Sequence, residues 1–215
     1  MTSDKGRPMR RGRLFVIAAP SGAGKTSLVN ALLARRPELR VSISHTTRKA
    51  RDTEREGREY YFVPAEAFET AVEQGQFLEH AHVFGNHYGT ARLPVERNLV
   101  EGRDVVLEID WQGARQVRAS MPGAITIFIL PPSRGALETR LRARQTDTEE
   151  VIAHRLGKAV DDMSHWREFD YIVVNDSFER AVCELLAIVD GQAEGLRADR
   201  PELATLLKRL DIAPA

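Results

Sequence analysis

The sequence predicts an α/β fold, a parallel sheet between two layers of helices, and three observations lead to it. Several short runs are apolar at nearly every position, among them Leu14-Phe15-Val16-Ile17-Ala18, Ala124 to Leu130 and Tyr171-Ile172-Val173-Val174. Strands covered on both faces read this way. Helical patterns alternate with these runs, and such alternation builds a parallel sheet with ligands at the carboxyl ends of its strands. The first run passes directly into Ala19-Pro20-Ser21-Gly22-Ala23-Gly24-Lys25-Thr26 and then into a helical pattern from Ser27. Strand, glycine-rich turn, then Gly-Lys-Thr opening a helix is the context of a phosphate-binding P-loop.

The elements follow in order. Leu14 to Ala18 is the first core strand, and Ser27 to Arg35 is the helix after the P-loop, stopped ahead of Pro37. Val41 to Thr47 reads as one strand, with Val41 and Ile43 on one face and Ser42, Ser44 and Thr46 on the other. Arg48 to Arg58 is a charged loop. Tyr60 to Val63 is a short strand, and Pro64 opens a helix reaching Gln74, at a position that tolerates proline. Gln76 to Phe84 and His87 to Thr90 form a hairpin about Gly85-Asn86, so a small mixed α+β subdomain interrupts the core. Leu93 to Val100 is a helix ended at Gly102. Asp104 to Asp110, Ala124 to Leu130 and Tyr171 to Val174 supply the other core strands; Trp111 to Ala119, Ser133 to Ala143 and Phe178 to Val189 supply helices, with Ser133 as a cap. Arg144 to Met163 is a polar helical excursion. Gly191 to Ala215 is a polar linker with one modest helix, Glu202 to Leu210, expected on the outside.

Composition narrows the function. A chain of 215 residues with formal net charge +0 and 42% hydrophobic residues fits one core domain with inserted subdomains. The neutral balance argues against bulk nucleic-acid binding, which needs a basic surplus. No apolar run is long enough for a membrane span, so no membrane partner is expected. Arg10, Arg11 and Arg13 precede an apolar stretch too short for a signal peptide. Residues 1–12 are expected to form a flexible basic tail, with Met9 an alternative start. The lone cysteine, Cys183, cannot form an internal disulfide and fits a reducing compartment such as the cytoplasm. Its place in an apolar helical pattern reads as a packed core thiol. Monomer and homo-oligomer both fit the sequence.

The chemistry starts at the P-loop. Gly22 and Gly24 permit backbone conformations that let successive N–H groups form an anion nest, and the helix N-terminus adds its orphan donors. Lys25 would neutralise the β- and γ-phosphates, and the Thr26 hydroxyl would serve Mg²⁺, a hard cation that takes oxygen ligands. Arg48 and Arg51, with Tyr60 and Tyr88, form either a clamp for a second phosphate or a solvated charged loop. Glu79 lies on an apolar strand face with Phe77, Ala81 and Val83 and must find donors there. Those donors are a protein arginine or the N1–H and 2-amino group of guanine; adenine, with an acceptor at N1, would leave the carboxylate unpaired. Glu108 and Asp110, two residues apart at a strand end, either hold Mg²⁺ or its waters or cap the following helix. Arg140 and Arg144 share a helix face and Arg155 lies on the return arm, where they serve a transferring phosphoryl group or surface ion pairs.

Taken together these residues resemble the guanylate kinase family. The resemblance rests on Ala19 to Thr26, Ser42-Ile43-Ser44-His45-Thr46-Thr47-Arg48, Arg51 with Glu54, Gly57 and Tyr60, Phe77-Leu78-Glu79 and Tyr88-Gly89-Thr90. It continues through Leu107-Glu108-Ile109-Asp110-Trp111-Gln112-Gly113-Ala114, Leu130-Pro131-Pro132-Ser133 and Asp170-Tyr171-Ile172-Val173-Val174-Asn175, in the family's order, over about residues 13 to 190. It implies a three-layer α/β/α P-loop core, a GMP-binding subdomain near 45–92, a lid near 140–163, and the reaction ATP + GMP → ADP + GDP with Mg²⁺. By position it implies that Ser44, Glu79 and Thr90 read guanine, and that Arg48, Arg51, Tyr60 and Tyr88 hold the GMP phosphate with Glu54 nearby. Ala19 to Ser27 with Arg140 and Asn175 would hold ATP, Glu108 and Asp110 would border GMP, Thr26 and Asp110 would serve the metal, and Lys25, Arg48, Arg144 and Arg155 would stabilise the transferring phosphoryl. Ala50 departs from the proline usual between the two arginines, and a change in affinity is expected from it. A non-catalytic interaction domain of the same shape is disfavoured by the intact Gly24-Lys25-Thr26 and lid arginines; a kinase of another monophosphate is disfavoured by Glu79.

Overall fold

The computed structural model describes residues 10–83, 85–143 and 149–212, and in it each apolar run becomes a strand. The chain begins with β1 (Leu14–Ala18), α1 (Lys25–Arg35), β2 (Arg40–Val41), β3 (Ser44–Thr46), β4 (Tyr60–Phe62) and α2 (Ala65–Glu73). It continues with β5 (Phe77–Val83), β6 (Asn86–Ala91), α3 (Arg92–Val100), β7 (Val105–Glu108), α4 (Trp111–Ser120) and β8 (Ile125–Leu130). Then come α5 (Arg134–Arg142), α6 (Glu149–Ser164), β9 (Tyr171–Val174), α7 (Phe178–Val189) and α8 (Leu203–Leu210).

The main sheet has the order β2-β7-β1-β8-β9, and all its pairs are parallel. Alternation along each strand feeds two helical layers, as a covered parallel sheet requires. Phe15 and Ile17 join Val106, Ile127, Ile129 and Val173 against α1 and α7. Leu14, Val16 and Ala18 join Leu107, Phe128 and Ile172 against α3, α4, α8 and the end of α6. The second sheet has the order β4-β3-β6-β5. It is mixed, with β3 parallel to β4 and antiparallel to β6. Phe68 of α2 covers it, with its ring 4.5 Å from Phe77 and 5.4 Å from His87. The two sheets meet at α4, where the Gln116 amide donates to the His80 carbonyl at 2.7 Å and accepts from its N–H at 3.1 Å. A third, small apolar cluster, Leu137, Leu141, Ile152 and Ala159, holds α5 to α6.

Several expectations are corrected. Val41 to Thr47 is not one strand. The chain leaves the main sheet after Val41, which is 42% exposed, and enters the second sheet at Ser44. A β-bulge between Phe77 and Glu79 turns Phe77 onto Phe68, so Phe77 does not share the face of Glu79. Cys183 is exposed, because the buried stripe of its helix is Ala181, Val182, Leu185, Ile188 and Val189 and position 183 falls off it. α1 begins at Lys25 rather than Ser27, after Gly24 at φ 91°. Of the expected basic tail, residues 1–9 lie outside the described residues, and Arg10 pairs with Asp104 at 3.0 Å.

The C-terminal helix is also not an external appendage. Leu203, Leu207, Leu210 and Ile212 belong to the same core cluster as Trp166 and Phe169. Arg134 donates to the Leu210 carbonyl at 2.8 Å and pairs with Asp211 at 3.1 Å, favourable for a cation at a helix C-terminus. Replacing Leu207 with Ala should therefore cost about 2–5 kcal/mol in urea unfolding; a loss under about 0.5 kcal/mol would contradict a core role for α8.

Candidate active site

β1 ends at Ala18 and the chain turns through Ala19 to Gly24 into α1. Gly22 and Gly24 have φ of 87° and 91°, values that disfavour any side chain. Neighbouring side chains crowd both positions as well. A Cβ on Gly24 would stand 2.6 Å from Asn175 Nδ2, and one on Gly22 3.0 Å from Leu141 Cγ. Behind the loop the Ala23 carbonyl accepts from Asn175 Nδ2 at 2.7 Å and from the Arg140 guanidinium at 3.4 Å. In a planar trans peptide this turns the Gly24 N–H away from Asn175. Arg140 also donates to the Asn175 carbonyl at 2.8 Å. Arg140 and Asn175, expected beside ATP, thus brace the loop from the rear; Asn175 is buried and Ala23 faces the core.

In front of the loop lies a cavity of about 320 Å³. Its wall includes Ala19, Pro20, Ser21, Gly22, Gly24, Lys25, Thr26 and Ser27, together with Glu108, Asp110, Lys158 and Asp162. An adjoining pocket of about 150 Å³ shares Lys25, Tyr60, Tyr88, Glu108 and Asp110 and adds Ser44 and Glu79. Lys25 thus stands between them, with its ammonium on the Ile109 carbonyl at 2.7 Å. Burial lowers its pKa, opposed by the carboxylates of Glu108, Asp110, Glu79 and Asp162. Thr26 donates its hydroxyl to Glu108. Asp110 faces both cavities and caps α4, accepting from the Gly113 N–H at 2.8 Å, so the cap reading of Asp110 holds.

Glu79 is 4% exposed. Thr90 donates its hydroxyl to it at 2.6 Å. Among the described residues no arginine or lysine forms an ion pair with Glu79, so the arginine reading falls away. Burial pushes its pKa up to about 7, against the Thr90 hydrogen bond, and Asp110 adds to the rise. Arg48 lies with its guanidinium 5.5 Å from the Tyr60 ring, donates to Glu54 at 2.8 Å and bonds the Tyr88 hydroxyl. The Tyr60 and Tyr88 rings are 5.9 Å apart. Arg51 stands aside, 69% exposed, 4.0 Å from Glu54. Arg155 is half-buried on α6, and Arg144 lies outside the described residues.

Two wall residues escaped sequence reasoning. Lys158 and Asp162 are four apart on α6, on one helix face, and Asp162 accepts from the Trp111 indole N–H at 3.1 Å. Burial raises the Asp162 pKa, and Lys158 lowers it. The i, i+4 spacing with Arg155 three residues earlier was the available signal, but it does not say which way the helix faces.

Glu79 makes stability depend on pH. Its carboxyl has a pKa of about 7 in the folded chain against 4.5 unfolded, so the folded state binds more protons between those values. Stability from this group should fall as pH rises from about 4.5 to about 7, by up to about 3 kcal/mol. Urea unfolding across that window should show the fall in the ligand-free protein and lack it in Glu79→Gln; superimposable profiles would contradict the assignment.

Comparison with known proteins agrees with this geometry. The guanylate kinase family model matches residues 11–192. A guanylate kinase of Methylococcus capsulatus is 54% identical over 202 residues, 94% of this chain and 99% of its own length. One from Nitrosococcus oceani is 58% identical over 181 residues, covering 84% of this chain and 89% of its own. The crystal structure of a guanylate kinase from Anaplasma phagocytophilum superposes with a TM-score of 0.71 at 32% identity, over 95% of this chain and 98% of that one. Among the described residues no helix is long and apolar enough to cross a membrane. With the family model spanning most of the chain and the P-loop facing a buried carboxylate pocket, the chain belongs to the guanylate kinase family, enzymes that phosphorylate GMP from ATP.

Proposed function

We propose that the P-loop cavity takes ATP, that the Glu79 pocket takes guanine, and that the chain converts ATP and GMP to ADP and GDP between them. The observation that carries the reading is a buried carboxylate, held on one oxygen by Thr90 and without an ion pair among the described residues, in a pocket that shares Lys25 with the P-loop cavity. Guanine offers two adjacent donors to such a carboxylate, and ionised Glu79 accepts both. Adenine would leave it unpaired in a buried site, a costly mismatch. Ser44 and Thr90 complete the base contacts, and Arg48, Arg51, Tyr60 and Tyr88 hold the GMP phosphate, with Glu54 orienting Arg48.

The transfer asks little covalent chemistry of the protein. A GMP phosphate oxygen attacks the γ-phosphorus in line, and the bond from that phosphorus to the bridging oxygen of ADP breaks. Lys25, Arg155 and Arg144 neutralise the charge on the transferring group, and closure of α5 and α6 excludes water. The donor set fits Mg²⁺: the Thr26 hydroxyl, with Asp110 and Glu108 facing the phosphate cavity, offers oxygen ligands and negative charge that an anion site lacks reason to carry alone. Bound on the ATP phosphates, Mg²⁺ would supply charge neutralisation. GMP and ATP are soluble metabolites, and the activity belongs with them in the cytoplasm.

Lys25→Ala should lower kcat by about a hundredfold or more while GMP affinity changes little. Glu79→Gln should raise the GMP KM about 10–100-fold and leave the ATP KM nearly unchanged. Steady-state kinetics check both. Full turnover in the first variant, or an unaltered GMP KM in the second, would overturn the assignment of that residue.

A further inference from the structure

We propose that Gly113, which need not touch GMP, is a positioning residue for base selection: its missing side chain is the space that the Glu79 carboxylate occupies. A Cβ built on Gly113 would stand 2.5 Å from Glu79 Oε2, 3.1 Å from its Cδ and 3.2 Å from Ile109 Cδ1. No carbon and carboxylate oxygen approach so closely, so one of them must move. The helix is fixed at this point. Gly113 lies in the first turn of α4, its N–H taken by the Asp110 cap. The strand is fixed too. The Gln116 amide, one turn further along α4, binds both backbone groups of His80, the residue after Glu79. The carboxylate is held on its other oxygen by Thr90, and the bulge at Phe77 sets the register of the strand carrying it. The remaining freedom is rotation of the Glu79 side chain away from α4, which takes its oxygens off the edge they present to the base.

The backbone itself does not call for glycine here. Gly113 is helical with no positive φ, and alanine is the better helix former. The propensity gain of alanine and the cost of displacing the buried Glu79 carboxylate oppose each other, so a Gly113→Ala variant should still fold and yet bind GMP worse. This rests on Glu79 being the guanine reader, so the test separates the two claims.

The experiment is steady-state kinetics and thermal melting of Gly113→Ala, Glu79→Asp, the double variant and Glu79→Gln. Gly113→Ala should raise the GMP KM tenfold or more, with the ATP KM within twofold and kcat at saturating GMP within threefold. The shorter Asp leaves room for the new methyl, so adding Gly113→Ala to Glu79→Asp should cost less than threefold in GMP KM, a non-additivity that general disruption of α4 would not produce. A GMP KM within twofold of wild type in Gly113→Ala, or an equal penalty in both backgrounds, would overturn the proposal. Should Gly113→Ala lower Tm, recovery of Tm in the double variant supports the clash, and its failure to recover counts against it. Loss of GMP in Glu79→Gln without loss in Gly113→Ala removes this inference alone; a wild-type GMP KM in Glu79→Gln removes the guanine reading itself.

Discussion

A carboxylate drawn out of water without an ion pair among the described residues is the constraint on which this structure turns. Glu79 is buried where the second sheet meets the first, and burial costs an ionised group dearly unless donors surround it. Among the described residues Thr90 supplies its hydroxyl and its backbone N–H, and the neighbouring pocket has room for further donors. The bulge in β5, the Gln116 clamp on His80 and the absent side chain at Gly113 all serve to keep that carboxylate in place. An apolar residue at 79 would pack more easily; the charge makes sense as a receptor for a ligand with paired donors.

The phosphate side has the opposite problem. Lys25 lies where burial lowers its pKa, and four carboxylates around it offset only part of the loss. An anion site walled by Glu108, Asp110 and Asp162 is electrostatically unfavourable for phosphate alone, which is why a divalent cation belongs to the proposed chemistry. The loop is held from behind, where Asn175 and Arg140 converge on the Ala23 carbonyl. Arg140 sits on α5, so the same helix that packs on α6 also braces the phosphate loop. At its other end α5 is tied by Arg134 to the last turn of α8, and Trp166, just beyond α6, donates to the Ile212 carbonyl at 3.3 Å. The C-terminal segment therefore touches both roots of the α5–α6 excursion.

The parts of this design written in local pattern were legible in the sequence. Runs such as Leu14 to Ala18 declare a doubly covered strand, and Gly22, Gly24, Lys25 and Thr26 declare their loop, because each needs only neighbouring residues to specify it. The parts that depend on distant contacts were not. Alternation over Val41 to Thr47 cannot say that the chain changes sheets midway. The period-two rule put Phe77 beside Glu79 because a bulge leaves no mark on it. The stripe Leu203, Leu207 and Leu210 was visible, but its core partner, Trp166, lies dozens of residues away. Lys158 and Asp162 are wall residues because of the way α6 faces the P-loop, and Gly113 matters because Glu79 lies against it, and neither contact is written in local pattern.

The most direct test of the central claim, that the Glu79 pocket selects guanine for a P-loop kinase, is ADP formation from Mg-ATP with GMP, AMP, CMP, UMP and dTMP in parallel. The account predicts turnover with GMP exceeding every other acceptor by at least about a hundredfold in kcat/KM. Comparable turnover with another monophosphate, or none with GMP, would contradict it.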